Sequence, residues 1–221
     1  MMLGLVAIGH SPRPDFERAF RRYAGEADIR LVGALDGLSA SEVRGLASAD
    51  SGYPLLVRLA DGTSAEVPMA AVAPRVAACA AALASEGARL VVVLCAGDVP
   101  DFPCAAPVLF PGRLVPAIVG ALMRSRRLGV VVPVRGQVDA ARAKWAADGF
   151  DAVVSWASPV DHAEIAAAAR AMSDPSLEMA VLDCMGHGEE YGSEFARRCG
   201  RPVVLAQSLV ARVAGELVAA R

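Results

Sequence analysis

The chain has 221 residues, of which 55% are hydrophobic and 5% aromatic, and its formal net charge is −2. This length allows one large domain or two small ones with a substantial core, and the wealth of Ala, Val and Leu is typical of tightly packed α/β proteins. A balanced charge without a basic run disfavours nucleic acid and anionic membranes as partners. The apolar start, residues 1–9, is too short to span a membrane and lacks a basic flank, so we expect a strand there instead of a signal peptide.

The polar motifs that identify common cofactor and metal sites are missing from the sequence. Five cysteines without metal-ligand spacing predict reduced thiols and a cytoplasmic protein. The three histidines include no His-x-x-x-His pair, so we expect no metal site. Gly-x-Gly-x-x-Gly, the P-loop and Gly-x-Ser-x-Gly are also absent, which disfavours nucleotide cofactors and serine hydrolase chemistry. We therefore expect no cofactor.

Hydrophobic periodicity predicts alternating strands and helices along most of the chain. The predicted strands cover residues 3–8, 29–35, 90–94, 107–110, 128–132, 152–156, 177–183 and 202–206. The predicted helices cover residues 15–23, 39–47, 72–85, 113–123, 137–148, 159–172, 189–198 and 207–220. Asp61-Gly62 between two extended runs predicts a β-hairpin over residues 53–68.

The pattern repeats in the second half. Leu128-Gly129-Val130 echoes Leu3-Gly4-Leu5 at an offset of 125 residues, and two strands ending in Cys-x-Gly, at Cys95 and Cys184, are offset by 89. The difference between the two offsets, 125 − 89 = 36 residues, is roughly the length of the segment that holds the short helix and the hairpin. We predict an α/β fold of two pseudo-symmetric, doubly wound lobes with parallel sheets and a hairpin inserted in the first lobe. The expected lobes are residues 1–112 plus 207–221, and residues 113–206.

Cys95 and Cys184 are the leading catalytic candidates. Each follows a buried-strand pattern and therefore lies at the carboxyl edge of a sheet, where open α/β sheets bind ligands. The thiolate is the reactive form of cysteine, and a neighbouring glycine lets backbone N–H groups turn toward an anion. A cysteine at a strand end can also be a small buried apolar residue. Two cysteines at equivalent points of a repeat favour function.

Further candidates lie in the loops beside these cysteines. Arg135 suits a carboxylate because its guanidinium binds bidentately, although a surface arginine is an equal alternative. His187 and Asp98 each lie three residues after a cysteine, as candidates to tune the thiols or bind an ammonium group, or as solvated loop residues. Cys79 and Cys199 are expected to be structural, and Cys104 receives no role. The predicted ligand-binding residues are Ser11, Arg13, Ala96, Gly97, Arg135, Gly136, Gln137, Met185, Gly186 and His187.

Five segments of the sequence carry a family resemblance: Ile8-Gly9-His10-Ser11-Pro12-Arg13-Pro14-Asp15, Gly33-Ala34-Leu35-Asp36-Gly37-Leu38, Tyr53-Pro54-Leu55-Leu56-Val57, Leu94-Cys95-Ala96-Gly97 and Leu182-Asp183-Cys184-Met185-Gly186. Together they resemble the aspartate/glutamate racemase superfamily, which includes hydantoin racemases, maleate isomerase and arylmalonate decarboxylase, and more closely its AroM family. The resemblance implies two doubly wound α/β lobes, no cofactor, and two cysteines acting as acid and base on opposite faces of a substrate carbon. It also implies a C-terminal helix that packs on the first lobe.

The sequence departs from the racemase pattern directly after each cysteine. Racemases typically have Asn-Thr after the first cysteine and Thr-His after the second, whereas this chain has Ala96-Gly97 and Met185-Gly186. We expect a cofactor-independent racemase or isomerase that acts on a small carboxylate or amino acid through Cys95 and Cys184, which we expect to face one another across a cleft between the lobes. A decarboxylase or isomerase using one cysteine, and a non-catalytic carboxylate-binding or regulatory protein, remain alternatives. A homodimer is left open.

Overall fold

The computed structural model describes residues 1–46 and 53–219. It is an α/β protein that divides into two compact units, residues 1–112 with 210–221 and residues 113–209. No helix within the described part has the length and apolar character needed to cross a membrane. The lobe boundaries predicted from the sequence remain a prediction, because compactness alone does not show that either part folds independently.

The first unit holds a four-stranded parallel sheet and a separate hairpin. Apolar runs form the two central strands, residues 2–7 and 88–94, and both are largely buried, as is typical of parallel strands covered by helices. The sheet order is β2-β1-β5-β6, and β3 pairs with β4 antiparallel. The elements are β1 (Met2–Ala7), α1 (Pro14–Ala24), β2 (Asp28–Gly33), α2 (Ala40–Gly45), β3 (Pro54–Arg58), β4 (Ser64–Pro68), α3 (Met69–Ser85), β5 (Ala88–Leu94) and β6 (Val108–Leu109).

The second unit repeats the sheet. Read from its β8 edge, its strand order is β8-β7-β9-β10. In both sheets the strands, counted along the chain, therefore lie in the order second, first, third, fourth. The elements that complete the chain are α4 (Pro111–Leu122), β7 (Arg127–Val132), a 3-10 turn (Arg135–Gln137), α5 (Val138–Ala147), β8 (Asp151–Trp156), α6 (His162–Ala171), β9 (Met179–Leu182), α7 (Glu189–Cys199), β10 (Val203–Leu205) and α8 (Ala206–Val218).

The strand registers of the two sheets match. Leu3 pairs with Leu90 in the first sheet, and Leu128 pairs with Met179 in the second. These pairs are related by the same offsets, 125 and 89 residues, that the sequence shows. The predicted pseudo-symmetric fold with an inserted hairpin is therefore confirmed.

A glycine at the same point of both sheets lets a helix pack closely. A Cβ at Gly4 would lie 3.0 Å from Leu83 Cδ1, and one at Gly129 would lie 2.6 Å from Met172 Sδ. Leu83 and Met172 are also 89 positions apart, so the packing contact is repeated along with the strands. Each sheet therefore packs in the same way against the helical segment that precedes its third strand along the chain.

Most predicted elements form within a few residues of their expected bounds. Helix α6 begins at His162 instead of Pro159, because the Asp161 side chain accepts hydrogen bonds from the N–H groups of Ala163 and Glu164 and so fixes the helix start. The last residues of two predicted helices, Ala47 and Ala220, lie outside the described residues.

Candidate functional site

The loop after β5 carries the first candidate thiol. Cys95 is 6% exposed and belongs to the apolar cluster of the first unit. A Cβ at Gly97 would lie 3.2 Å from the Tyr53 ring and 3.3 Å from Cys95 Sγ, so a side chain at this position would crowd both groups. Ala96 is also buried, and Asp98 is exposed. The first thiol therefore lies in a largely apolar setting.

The loop after β1 lies beside Cys95, because β1 and β5 are adjacent parallel strands whose carboxyl ends share one sheet edge. Its Ser11 donates its backbone N–H and its hydroxyl to the two carboxylate oxygens of Asp36, at 2.8 and 2.6 Å. The Gly33 N–H donates to the same carboxylate. Burial raises the pKa of Asp36, but these hydrogen bonds outweigh it and hold that pKa below its usual value.

Arg13, in the same loop, is already paired. Its Nε and a terminal nitrogen donate to both carboxylate oxygens of Asp15, at 2.9 and 2.6 Å, and its guanidinium lies 4.0 Å above the Phe16 ring. The Arg13 side chain is 12% exposed. The fork that would bind a ligand carboxylate is thus occupied by Asp15, and Arg13 fixes the start of α1.

His10 joins the β1 loop to the hairpin. Its Nδ1 accepts from the Ala60 N–H at 3.1 Å, so its Nε2–H donates to the Leu38 carbonyl at 2.9 Å. The His10 N–H donates to the Arg58 carbonyl at 3.0 Å. The inserted hairpin is therefore hydrogen-bonded to the same loop that lies beside Cys95.

The loop after β9 carries the second candidate thiol. Cys184 is partly exposed, and the Gly186 N–H donates to its sulfur at 3.3 Å. The His187 N–H donates to the Cys184 carbonyl at 3.2 Å, which closes a tight turn. The buried side chain of Gln207 donates from Nε2 to the Met185 carbonyl at 2.9 Å. These hydrogen bonds fix the conformation of the loop that carries the sulfur.

Two buried ionisable side chains flank Cys184. Asp183 accepts from the Trp145 indole N–H at 2.9 Å, and burial raises the pKa of its carboxyl. His187 is fully buried with Nε2 on the Ala157 carbonyl at 2.9 Å, and burial lowers its pKa to about 4. Asp183 Oδ1 and His187 Nδ1 find no hydrogen-bond partner among the described residues. His187 is therefore neutral near pH 7.

The 3-10 turn after β7 brings three predicted residues to the same edge as Cys184, because β7 pairs with β9. Arg135 and Gly136 are exposed, whereas Gln137 is 4% exposed. Arg135 is thus available to a ligand, and Gln137 faces inward. Each half consequently places its predicted residues in the loops at the carboxyl edge of its own sheet.

Sequence reasoning missed several groups that shape these loops. Asp183 interrupts an apolar strand pattern, and a polar residue at such a point is a readable signal of a special role. Asp36 and His10 fall in turn segments that carry the family resemblance, but the sequence assigns neither residue a role. Gln207 opens the last helix, and no local pattern indicates its contact with Met185. Within residues 1–46 and 53–219, no three His, Cys, Asp or Glu side chains cluster as a metal site requires.

Solved structures with this fold include both racemases and a decarboxylase. Allantoin racemase from Klebsiella pneumoniae is 17% identical, with a TM-score of 0.64, over 99% of this chain and 87% of that chain. Arylmalonate decarboxylase is 15% identical, with a TM-score of 0.59, over 100% and 93%. Glutamate racemase from Aquifex pyrophilus is 16% identical, with a TM-score of 0.56, over 98% and 84%. These likenesses confirm the racemase-like fold.

The sequence comparisons identify the family. No curated protein matches the chain significantly. The family model described as AroM protein matches residues 3–218, which is nearly the whole chain. The resemblance seen in the sequence is confirmed: the chain belongs to the AroM family.

Proposed function

We propose that the protein is a cofactor-independent racemase or isomerase of a small carboxylate or amino acid, with Cys95 and Cys184 as an acid–base pair. One observation carries this proposal. Cys95 directly follows β5 and Cys184 lies two residues after the end of β9, and the two positions are equivalent in the matching registers of two sheets with the same strand order. Two thiols from related halves can serve the two faces of one carbon.

The two thiols have different surroundings, which suggests different resting states. Cys95 belongs to an apolar cluster, and burial favours the neutral thiol. Cys184 is partly exposed and accepts an N–H hydrogen bond at its sulfur, which favours the thiolate. We therefore assign Cys184 as the resting base and Cys95 as the resting acid.

In the proposed step, the Cys184 thiolate takes the proton from the substrate α-carbon and becomes a thiol. The electron pair of the broken C–H bond stays on the substrate as a carbanion or enolate. That pair then takes the proton of the Cys95 thiol on the opposite face, and Cys95 becomes a thiolate. The substrate is inverted, and solvent exchange or the reverse reaction restores the starting thiols. Reduced cysteines, as in the cytoplasm, are required.

The developing negative charge needs donors, because carbon acids are weak. We propose that Arg135 binds the substrate carboxylate, since it is exposed at the edge of the second sheet. The backbone N–H groups of Ala96, Gly97 and Gly136 supply further donors, while the Gly186 N–H donates to the Cys184 sulfur. Ser11, Arg13, Gln137, Met185 and His187 complete the site as the residues that shape these loops.

Solvent deuterium tests this function directly. The protein is incubated in heavy water with a panel of amino acids and small carboxylates, and α-deuteration and loss of optical purity are followed by NMR and chiral chromatography. We expect both for at least one compound class. Thermal stabilisation by a compound that shows neither exchange nor turnover would instead identify a non-catalytic carboxylate-binding protein.

A single-cysteine decarboxylase or isomerase is the second candidate, favoured by the unlike surroundings of the two thiols. In decarboxylation the bond to the carboxyl carbon breaks, carbon dioxide leaves, and the electron pair left on carbon takes a thiol proton. A substituted malonate in heavy water would then release carbon dioxide and gain one deuterium. Activity that survives the loss of one cysteine would favour this candidate over the two-thiol scheme.

A further inference from the structure

One peptide group in the Cys184 loop is hydrogen-bonded at both ends. Its carbonyl, that of Met185, accepts from Gln207 Nε2 at 2.9 Å, and its N–H, that of Gly186, donates to Cys184 Sγ at 3.3 Å. Met185 and the Gln207 side chain are both buried, with exposures of 2% and 4%. The chain Gln207–peptide–sulfur therefore links the start of α8 to the thiol.

A trans peptide is planar, so its C=O and N–H point in opposite directions and turn together. A donor fixed on the carbonyl therefore also fixes the direction of the N–H. Hydrogen bonds in such a chain polarise one another, which strengthens the bond from the N–H to its acceptor. An acceptor that becomes negatively charged gains most, because charge-assisted hydrogen bonds are the strong ones.

We propose that Gln207 is a positioning residue for Cys184: through the Met185–Gly186 peptide it aims and polarises the N–H that stabilises the thiolate. The inference rests on the proposed function, since it explains how the proposed base is kept ionised. It gives a role to a side chain that does not reach the sulfur itself.

The ionisable groups near Cys184 come from several elements. His187 is neutral above its pKa of about 4, and burial raises the pKa of Asp183. Lys144 of α5 acts electrostatically on Asp183, and Glu189 begins α7 beyond the loop. The Gly186 N–H contacts the Cys184 sulfur directly, at 3.3 Å, so a change in its direction acts on the thiolate itself.

The test is the pH dependence of iodoacetamide labelling, resolved cysteine by cysteine by peptide mass spectrometry. Q207M keeps the side-chain size but removes the donor, and Q207L repeats the removal with another shape. We expect both to raise the apparent pKa of Cys184 by about 0.5–1 units, the worth of one net hydrogen bond. Cys95, in the same molecules, should titrate as in the unsubstituted protein.

S208A is the matched control, because Ser208 also lies at the start of α8 but its hydroxyl donates to the Leu205 carbonyl, outside the Cys184 loop. It should leave the Cys184 titration unchanged. An unchanged Cys184 titration in Q207M and Q207L would overturn the proposal, as would an equal shift in S208A. The proposed function fails separately, if Cys184 of the unsubstituted protein already titrates at the ordinary value of about 8.5.

NMR of the unsubstituted protein tests the same point without a variant that must fold. The Gly186 amide and the Gln207 side-chain amide resonances should both shift with the apparent pKa at which Cys184 ionises. A Gln207 amide that does not respond to Cys184 ionisation would contradict the proposed coupling.

Discussion

The loops that carry Cys95 and Cys184 have the same position in their sheets but different surroundings. Both follow the third strand of sheets with the same order and register, and both have glycine two residues after the cysteine. Cys95 is buried in an apolar cluster against which Tyr53 packs, whereas Cys184 is partly exposed and accepts a hydrogen bond from an N–H group at its sulfur. The repeated strands fix where each thiol lies, and the residues around each loop decide its chemistry.

The flanking positions show the same divergence. Leu94 precedes the first cysteine, whereas the buried carboxyl of Asp183 precedes the second. Three residues after each cysteine, Asp98 is exposed and His187 is fully buried. A fold with two matching sheets thus holds these two cysteines in unlike surroundings.

Removing either thiol should have the largest effect. We expect C95S and C184S each to slow racemisation by about 10²–10⁴-fold, because one substrate face loses its proton carrier. C95S retains the assigned base, so it should still exchange the α-proton of one enantiomer with retention of configuration, whereas C184S should not. Chiral analysis after reaction in heavy water measures both. Unchanged racemisation in both variants would refute the two-thiol scheme.

Acid should destabilise the protein through the buried His187 of the Cys184 loop. The buried His187 has a pKa of about 4 against 6.5 for an exposed histidine, so its contribution to stability is complete above 6.5 and is lost as the pH falls toward 4. That shift corresponds to roughly 3 kcal/mol of unfolding free energy. The free energy of urea unfolding should therefore depend less on pH over this range in H187Q than in the unsubstituted protein.

H162Q is the control for this pH dependence. His162 is an exposed residue that pairs with Glu194 on the surface of the second unit, so its replacement should leave most of the acid destabilisation in place. Equal pH profiles for H187Q and the unsubstituted protein would show that the buried ring of His187 is not the cause.

The inserted hairpin distinguishes the halves and depends on close backbone approach. A Cβ at Gly9 would clash with the Arg58 carbonyl oxygen, so G9A must displace the hairpin. We expect a loss of about 1–3 kcal/mol of unfolding free energy, typical of overpacking. In G45A the new Cβ meets nothing within 4 Å, and stability should change by less than about 1 kcal/mol. Equal effects of both substitutions would contradict this account of the hairpin.

The sequence predicts the strands and their repeat well because buried parallel strands follow from a local apolar pattern. The repeat of Leu3-Gly4-Leu5 in Leu128-Gly129-Val130 anticipates both sheets, and Asp61-Gly62 anticipates the hairpin. Hydrogen bonds between distant segments leave no such pattern. The pairing of Gln207 with Met185 spans 22 positions, so its partner is defined only by the folded loop.

The central claim is that the two thiols rest in different protonation states, with Cys184 as the base. A pH series of iodoacetamide labelling on the unsubstituted protein, quantified separately for Cys95 and Cys184, tests this most directly and requires no known substrate. We predict that Cys184 titrates below the ordinary thiol value of about 8.5 and that Cys95 titrates above Cys184. Both thiols titrating together at about 8.5 would contradict the claim.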